Sequence, residues 1–205
     1  MGRKPGDTRE RLLCEALRLF AESGYDNVRM ADIASALGHS APAIYKHFSN
    51  KQALFGAVVE KCSQGLNAQL QRERECLLGV SCDSLPGSAE EWIARLLTQA
   101  RLMLAGGDAA MFRKLLLSEQ FRRPELAAIY NKRYVDDELA LYEAAFRRMM
   151  DAGIMKTDDA RTLAVAYYAP VQLLTGVCDR EPERAREALQ SLDRHVRFFC
   201  MKWKQ

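Results

Sequence analysis

From Leu12 onward, apolar residues recur at three- and four-residue spacing. Leu12, Leu13, Ala16, Leu19 and Phe20 make one face of a first helix. Asp7 or Thr8 is placed to cap it, with Glu10 at the third helical position relative to Asp7, and Gly24 stops it. A second, short helix is predicted from Met30 to Leu37, with Ile33, Ala34 and Leu37 inward and Gly38 at its end. Ser40 then caps a third helix, where Pro42 falls in the first turn and loses no hydrogen bond. Ile44 and Phe48, four apart, face inward. Asn50 caps a fourth helix whose apolar positions Leu54, Val58, Cys62, Leu66, Leu70 and Leu77 carry it to about residue 78, out of the first domain.

Residues 79–87 (GVSCDSLPG) read as a linker. Ser88 and Glu91 form a capping box ahead of Trp92, Ile93, Leu96, Leu97, Ala100 and Met103. Gly106 and Gly107 break that helix, and another runs from about Asp108 to Gln120. Pro124 opens a long helix ending before Gly153. Thr157 or Asp158 starts the next, and Pro182 opens the last, with Ala185, Ala188, Leu189, Leu192, Val196 and Phe199 in phase. The expected fold is all-α with about nine helices. A three-helix domain over residues 1–55 continues through helix four into a helical domain over residues 56–205.

Composition agrees with helices. There are 28 alanines and 26 leucines against 19 valines, isoleucines and threonines together. The net charge of +3 is too small to imply a polyanionic partner by itself, so local pattern must carry that argument. The longest uncharged run, Thr162 to Cys178, is shorter than the ~20 apolar residues of a spanning helix and contains Pro170, Gln172 and Gly176. It reads as a buried interface helix, with no membrane partner. Cys14, Cys62, Cys76, Cys82, Cys178 and Cys200 form no C-x-x-C pair, and the three histidines complete no metal-ligand spacing. No signal-peptide pattern stands at the N-terminus, so the expectation is a cytoplasmic protein with reduced thiols packed in helices.

Two short helices joined by a glycine turn and braced by a preceding helix make a helix-turn-helix. The stretch Asp32 to Phe55 (DIASALGHSAPAIYKHFSNKQALF) resembles the DNA-binding segment of the tetracycline-repressor (TetR) family. Ile33, Ala34, Gly38, Ser40, Ile44, Tyr45, His47, Phe48, Lys51 and Leu54 carry the resemblance. The rest of the chain is similar to the family only in length and helical pattern.

With Ile44 and Phe48 inward, Ala41, Pro42, Ala43 and Lys46 point largely outward. Small residues at the start of the third helix let its backbone enter a major groove, where Ala43 suits a thymine methyl and Lys46 suits guanine or a phosphate. Tyr45 and His47 flank them with donors for phosphate oxygens, and Ser40 belongs to the same candidate DNA-binding set. Lys51 opens helix four, where a cation opposes the helix dipole; folding gains nothing obvious from it, and a bound phosphate would reverse that effect. Arg29 stands where the family places a Ser or Thr cap; it cannot cap, but it can reach a phosphate. His39 takes the place of a small apolar turn residue and reads as packing. The third helix carries few base-reading groups, which leaves a share of specificity to DNA shape or to Arg3 and Lys4 in a minor groove.

The resemblance implies a homodimer through a four-helix bundle of the last two helices, a palindromic double-stranded DNA operator, and a repressor released by a small apolar or amphipathic molecule. Trp92, Met103, Met111, Phe112, Tyr134 and Tyr168 are candidates to line the effector site, with Glu119 as a polar handle. The alternative is a DNA-bound protein-interaction module of the same fold without a small-molecule ligand. No Ser/His/acid, Cys/His or metal constellation is visible, so neither an enzyme nor a cofactor is expected.

Overall fold

The computed structural model describes residues 5–78, 88–104 and 106–205. Among these residues the regular elements are helices, with one isolated bridge between Met155 and Lys204. In order they are α1 (Pro5–Ser23), α2 (Met30–Ala36), α3 (Ala41–Tyr45), α4 (Lys51–Leu77), α5 (Ala89–Met103), α6 (Asp108–Glu119), α7 (Pro124–Asn131), α8 (Asp137–Asp151), α9 (Ala160–Arg180) and α10 (Ala185–Trp203). The expected linker at 79–87 lies outside the described residues, as do Arg3, Lys4 and Cys82.

Most helix boundaries follow their signals. The first helix opens earlier than Asp7, at Pro5, whose fixed φ suits a first turn. Gly24 and Gly38 end α1 and α2 at φ of +78° and +67°, a left-handed geometry that glycine adopts without a Cβ clash. Ser88 Oγ accepts from Glu91 N–H at 3.2 Å as expected, whereas α9 is capped not by Thr157 or Asp158 but by Asp159, which accepts from Thr162 N–H at 2.7 Å. The long helix expected between Pro124 and Gly153 is interrupted: a π turn at Lys132–Asp136 joins α7 to α8. The thiol expectation also changes, because Cys76 is disulfide-bonded. Cys200 is buried, and burial pushes its thiol up to about 12.

The chain forms two compact units. The first contains the described residues of Met1–Leu66 together with Gly107–Ile129; the second contains Asn67–Gly106 and Tyr130–Gln205. This partition differs from a division at residue 55. The reason is that α6 packs on α1, burying Phe112, Leu115 and Leu116 within the first unit. The centre of that unit is Leu12, Leu13, Ala16, Leu17, Phe20, Ile33, Ile44, Leu54 and Val58.

In the second unit α8 and α10 pack on α9, and α5 packs on α10. Its core is aromatic. Tyr142 and Tyr167 lie 4.7 Å apart between ring centroids, with Phe146 and Phe199 against them. No helix among the described residues is long and apolar enough to cross a membrane.

Candidate nucleic-acid interface and buried polar cluster

The helix-turn-helix is built by burial on one face. Ile33 and Ala34 of α2, Ile44 of α3 and Phe48 just beyond it are buried. That anchoring leaves Ser40, Pro42, Tyr45, Lys46 and His47 exposed and Ala41 and Ala43 half-buried. Tyr45 is 52% exposed, although an aromatic ring gains from burial. The outward set read from the periodicity is therefore brought together on one short helix and its flanks. Ser40 holds an N-cap backbone conformation, but its side chain makes no capping hydrogen bond. At α2, Arg29 cannot accept a hydrogen bond, and the Asp32 carboxylate instead accepts from Arg29 N–H at 2.7 Å. The Arg29 side chain is left exposed.

Lys51 departs from expectation. Its ammonium donates to the carbonyls of Tyr25 and Val28 at 2.9 Å each and of Asp26 at 3.4 Å, and lies 4.2 Å from the centre of the Tyr25 ring. The expectation that folding gains nothing from Lys51 is corrected: its three donors close the α1–α2 loop over the start of α4. Asn50 caps α4 as expected, accepting from Ala53 N–H at 2.8 Å.

Tyr25 is a residue the periodicity does not single out. Its hydroxyl meets Gln52 Oε1 at 3.0 Å, and its ring packs on Phe20 and Phe55. The Arg123 guanidinium covers the ring at 4.0 Å. Glu119 Oε1 accepts from Tyr25 N–H at 2.9 Å, and Glu119 Oε2 lies 3.6 Å from Arg123. Glu119 is thus an internal anchor of the first unit rather than a free polar handle, because both carboxylate oxygens face partners of its own chain. Phe112 and the half-buried Met111 belong to the same unit, on α6.

Trp92, Met103, Tyr134 and Tyr168 are buried in the second unit. Tyr168 donates to Tyr134 O in the π turn at 2.7 Å and meets Gln172 Oε1 at 3.1 Å. Beside them lies a polar cluster missed by sequence reasoning. Glu138 of α8 pairs with Arg74 in the last turn of α4, and the Gln99 amide sits against the carboxylate without completing a hydrogen bond. Burial pushes the Glu138 carboxyl up from its ordinary range, against the opposing pull of Arg74, Gln99 and Arg133. Glu138 Oε2, both Gln99 amide atoms, Arg74 Nε and Tyr142 Oη are buried with no hydrogen-bond partner among the described residues. These positions share no sequence-level mark, since they come from three helices far apart in the chain. Among the described residues no group of side chains has the make-up of a metal site.

Residues 12–58 match the family model described as bacterial regulatory proteins, tetR family. The chain is 37% identical over 94 residues to the HTH-type transcriptional repressor Rv1474c of Mycobacterium tuberculosis, covering 45% of this chain and 49% of that one. It is 27% identical over 171 residues to the uncharacterized HTH-type transcriptional regulator YezE of Bacillus subtilis, covering 82% and 83%. The chain thus spans about half the length of the first relative and most of the second. Its fold is also that of SmeT in complex with triclosan, with a TM-score of 0.66, 20% identity, and coverage of 97% of this chain and 92% of that one. SmeT is the repressor of the Stenotrophomonas maltophilia multidrug efflux pump SmeDEF.

Proposed function

Taking residues 12–58 as a tetR-family DNA-binding domain, we propose that this protein is a one-component transcriptional repressor. It binds a palindromic operator as a homodimer and is released by a small apolar or amphipathic molecule. The observation that carries DNA binding is the exposed set Ser40, Pro42, Tyr45, Lys46 and His47 over the buried Ile44 and Phe48. Small residues bring the α3 backbone close to base edges, Tyr45, His47, Ser40 and Arg29 take phosphates, and Lys46 takes guanine or a phosphate. Lys51 acts by holding the loop and the α4 N-terminus that face the backbone. Arg3 and Lys4 reach a neighbouring minor groove.

Dimerisation is supported by apolar side chains left in water on the last two helices. Val165 and Leu173 of α9 are exposed, the latter 66%, as are Leu189, Phe198 and Met201 of α10, the last two 64% and 68%. Such faces mark association surfaces. The single short helix-turn-helix also has too little base-reading surface alone, and two copies would set half-sites ~34–36 Å apart or a small multiple of that. The effector reading rests on the aromatic core of the second unit around Trp92, Met103 and Tyr168, with the buried Tyr134 bonded to Tyr168 through its carbonyl. It is consistent with the small-molecule complex of a structural neighbour. The protein acts in the cytoplasm and without catalysis.

The test is selection of bound sequences from random DNA alongside light scattering at micromolar concentration. A palindrome enriched by a dimer is the expected result; a monomer that enriches none defeats the reading. A dimer that binds its operator but responds to no small molecule, and instead captures a protein, would favour the interaction-module alternative.

A further inference from the structure

We propose that the cluster of Gln99, Glu138, Tyr142 and Arg74 is the effector seat, and that it takes a neutral aromatic molecule carrying a hydroxyl head, a phenol. The inference rests on the effector reading above and names its site and ligand class. Natural interiors pair nearly all their buried polar atoms, so several unpaired ones in one place call for an explanation. Here four residues from three helices supply them, and Gln99, Glu138 and Tyr142 are at most 1% exposed.

The atoms define the head group. Glu138 Oε2 and Gln99 Oε1 can only accept, Gln99 Nε2 and Arg74 Nε can only donate, and Tyr142 Oη can do either. A hydroxyl donates once and accepts from the same oxygen, which fits this mixed set. A charged head does not: an anion would face the Glu138 carboxylate and a cation would face the Arg74 guanidinium, which already pair with each other. The ligand body is defined by the rings around Tyr142. Tyr167, Tyr168 and Phe146 lie at centroid distances of 4.7, 5.6 and 6.4 Å. Flat apolar bodies pack well on such faces.

The seat adjoins a distortion and a connecting helix. The π turn at Lys132–Asp136 ends just before Glu138, and isolated π turns recur at functional sites. Arg74 lies in the last turn of α4, whose end is also held by Arg95 on Cys76 O at 2.6 Å and by Arg148 on Leu78 O. A hydroxyl seated on Glu138 and Arg74 therefore acts on the end of the helix that begins at Lys51.

The experiment uses the full-length protein and two probes, 4-butylphenol and its methyl ether 4-butylanisole, by titration calorimetry. The phenol should bind about tenfold or more tightly than the ether, which cannot donate. Gln99→Leu and Tyr142→Phe should each weaken phenol binding by about fivefold or more and leave ether binding unchanged. Both variants should unfold at the same or a higher temperature than the parent, because each removes an unpaired polar group. Equal binding of the two probes, no binding of the phenol, or variants that lose thermal stability while keeping phenol affinity would each overturn the proposal. Phenol binding that depends on Gln99 and Tyr142 but leaves operator affinity unchanged would keep the seat and remove the effector reading. Operator release by small molecules that is indifferent to both variants would do the reverse.

Discussion

Glu119 Oε1 accepts a hydrogen bond from the backbone N–H of Tyr25 at 2.9 Å, across ninety-four positions of sequence. The bond ties the end of α6 to the loop that leads into the helix-turn-helix. Both groups are buried, so the N–H has no access to water if the carboxylate is removed.

Glu119→Ala is expected to cost about 1–3 kcal/mol of folding stability, since it orphans the Tyr25 N–H and leaves Arg123 over the ring without its carboxylate. Glu119→Gln retains an acceptor and should cost less. Urea unfolding of the two variants and the parent checks the order; equal stability in all three would show that the bond contributes nothing.

Lys51 and Lys46 should separate structure from DNA contact. Lys51→Ala removes the donor for the Tyr25 and Val28 carbonyls and should lower stability by about 1–3 kcal/mol. Lys46 is exposed, so Lys46→Ala should leave stability unchanged and reduce the slope of log affinity against log salt by about one unit per contacted phosphate. Fluorescence anisotropy across a salt series decides it. A larger slope change for Lys51→Ala than for Lys46→Ala would reverse the assignment.

Leu173→Glu and Phe198→Glu place a charge on side chains that are already exposed in the single chain. Each should leave the helical circular-dichroism signal intact, convert the proposed dimer to monomer in sedimentation, and abolish operator binding at concentrations where the parent is saturated. Variants that remain dimeric would move the interface elsewhere.

Glu138 gives a pH dependence with a definite sign. Its carboxyl is raised from an ordinary value of 4.5, chiefly by burial. The folded state therefore holds a proton that the unfolded chain has released over the window just above 4.5, and stability falls as pH rises through it. The group's contribution is complete below 4.5 and lost above the folded value. Glu138→Gln does not titrate, so its stability should fall less between pH 4.5 and 7 than the parent's. Parallel profiles for the two proteins would remove Glu138 as the source.

The helices are legible because their punctuation is local. Gly24, Gly38, Ser88, Pro124 and Pro182 act on the residues next to them, and an apolar face with a 3.6-residue period needs no knowledge of its partner. Ile44 and Phe48 orient α3, and that alone sorts the outward residues. Long-range contacts leave no such trace. Glu119 stands out as a carboxylate in an apolar stretch, but nothing nearby in sequence names Tyr25 as its partner. Gln99 and Tyr142 look like ordinary helix residues until three helices converge. The π turn is hidden inside a continuous helical pattern, since one extra residue per turn barely disturbs the periodicity.

The return of α6 and α7 to the first unit makes that unit discontinuous in the chain, with Asn67–Gly106 inserted between its two parts. During synthesis the helix-turn-helix emerges first yet lacks the surface that α6 provides until residues near Ile129 have left the ribosome. At roughly 5–20 residues per second that is an interval of seconds in which α1 lacks the helix that packs on it. A fragment ending at Leu66 would remain in that condition permanently, so it should be less stable and more prone to aggregate than a shortened chain in which residues 5–66 are joined to 107–129.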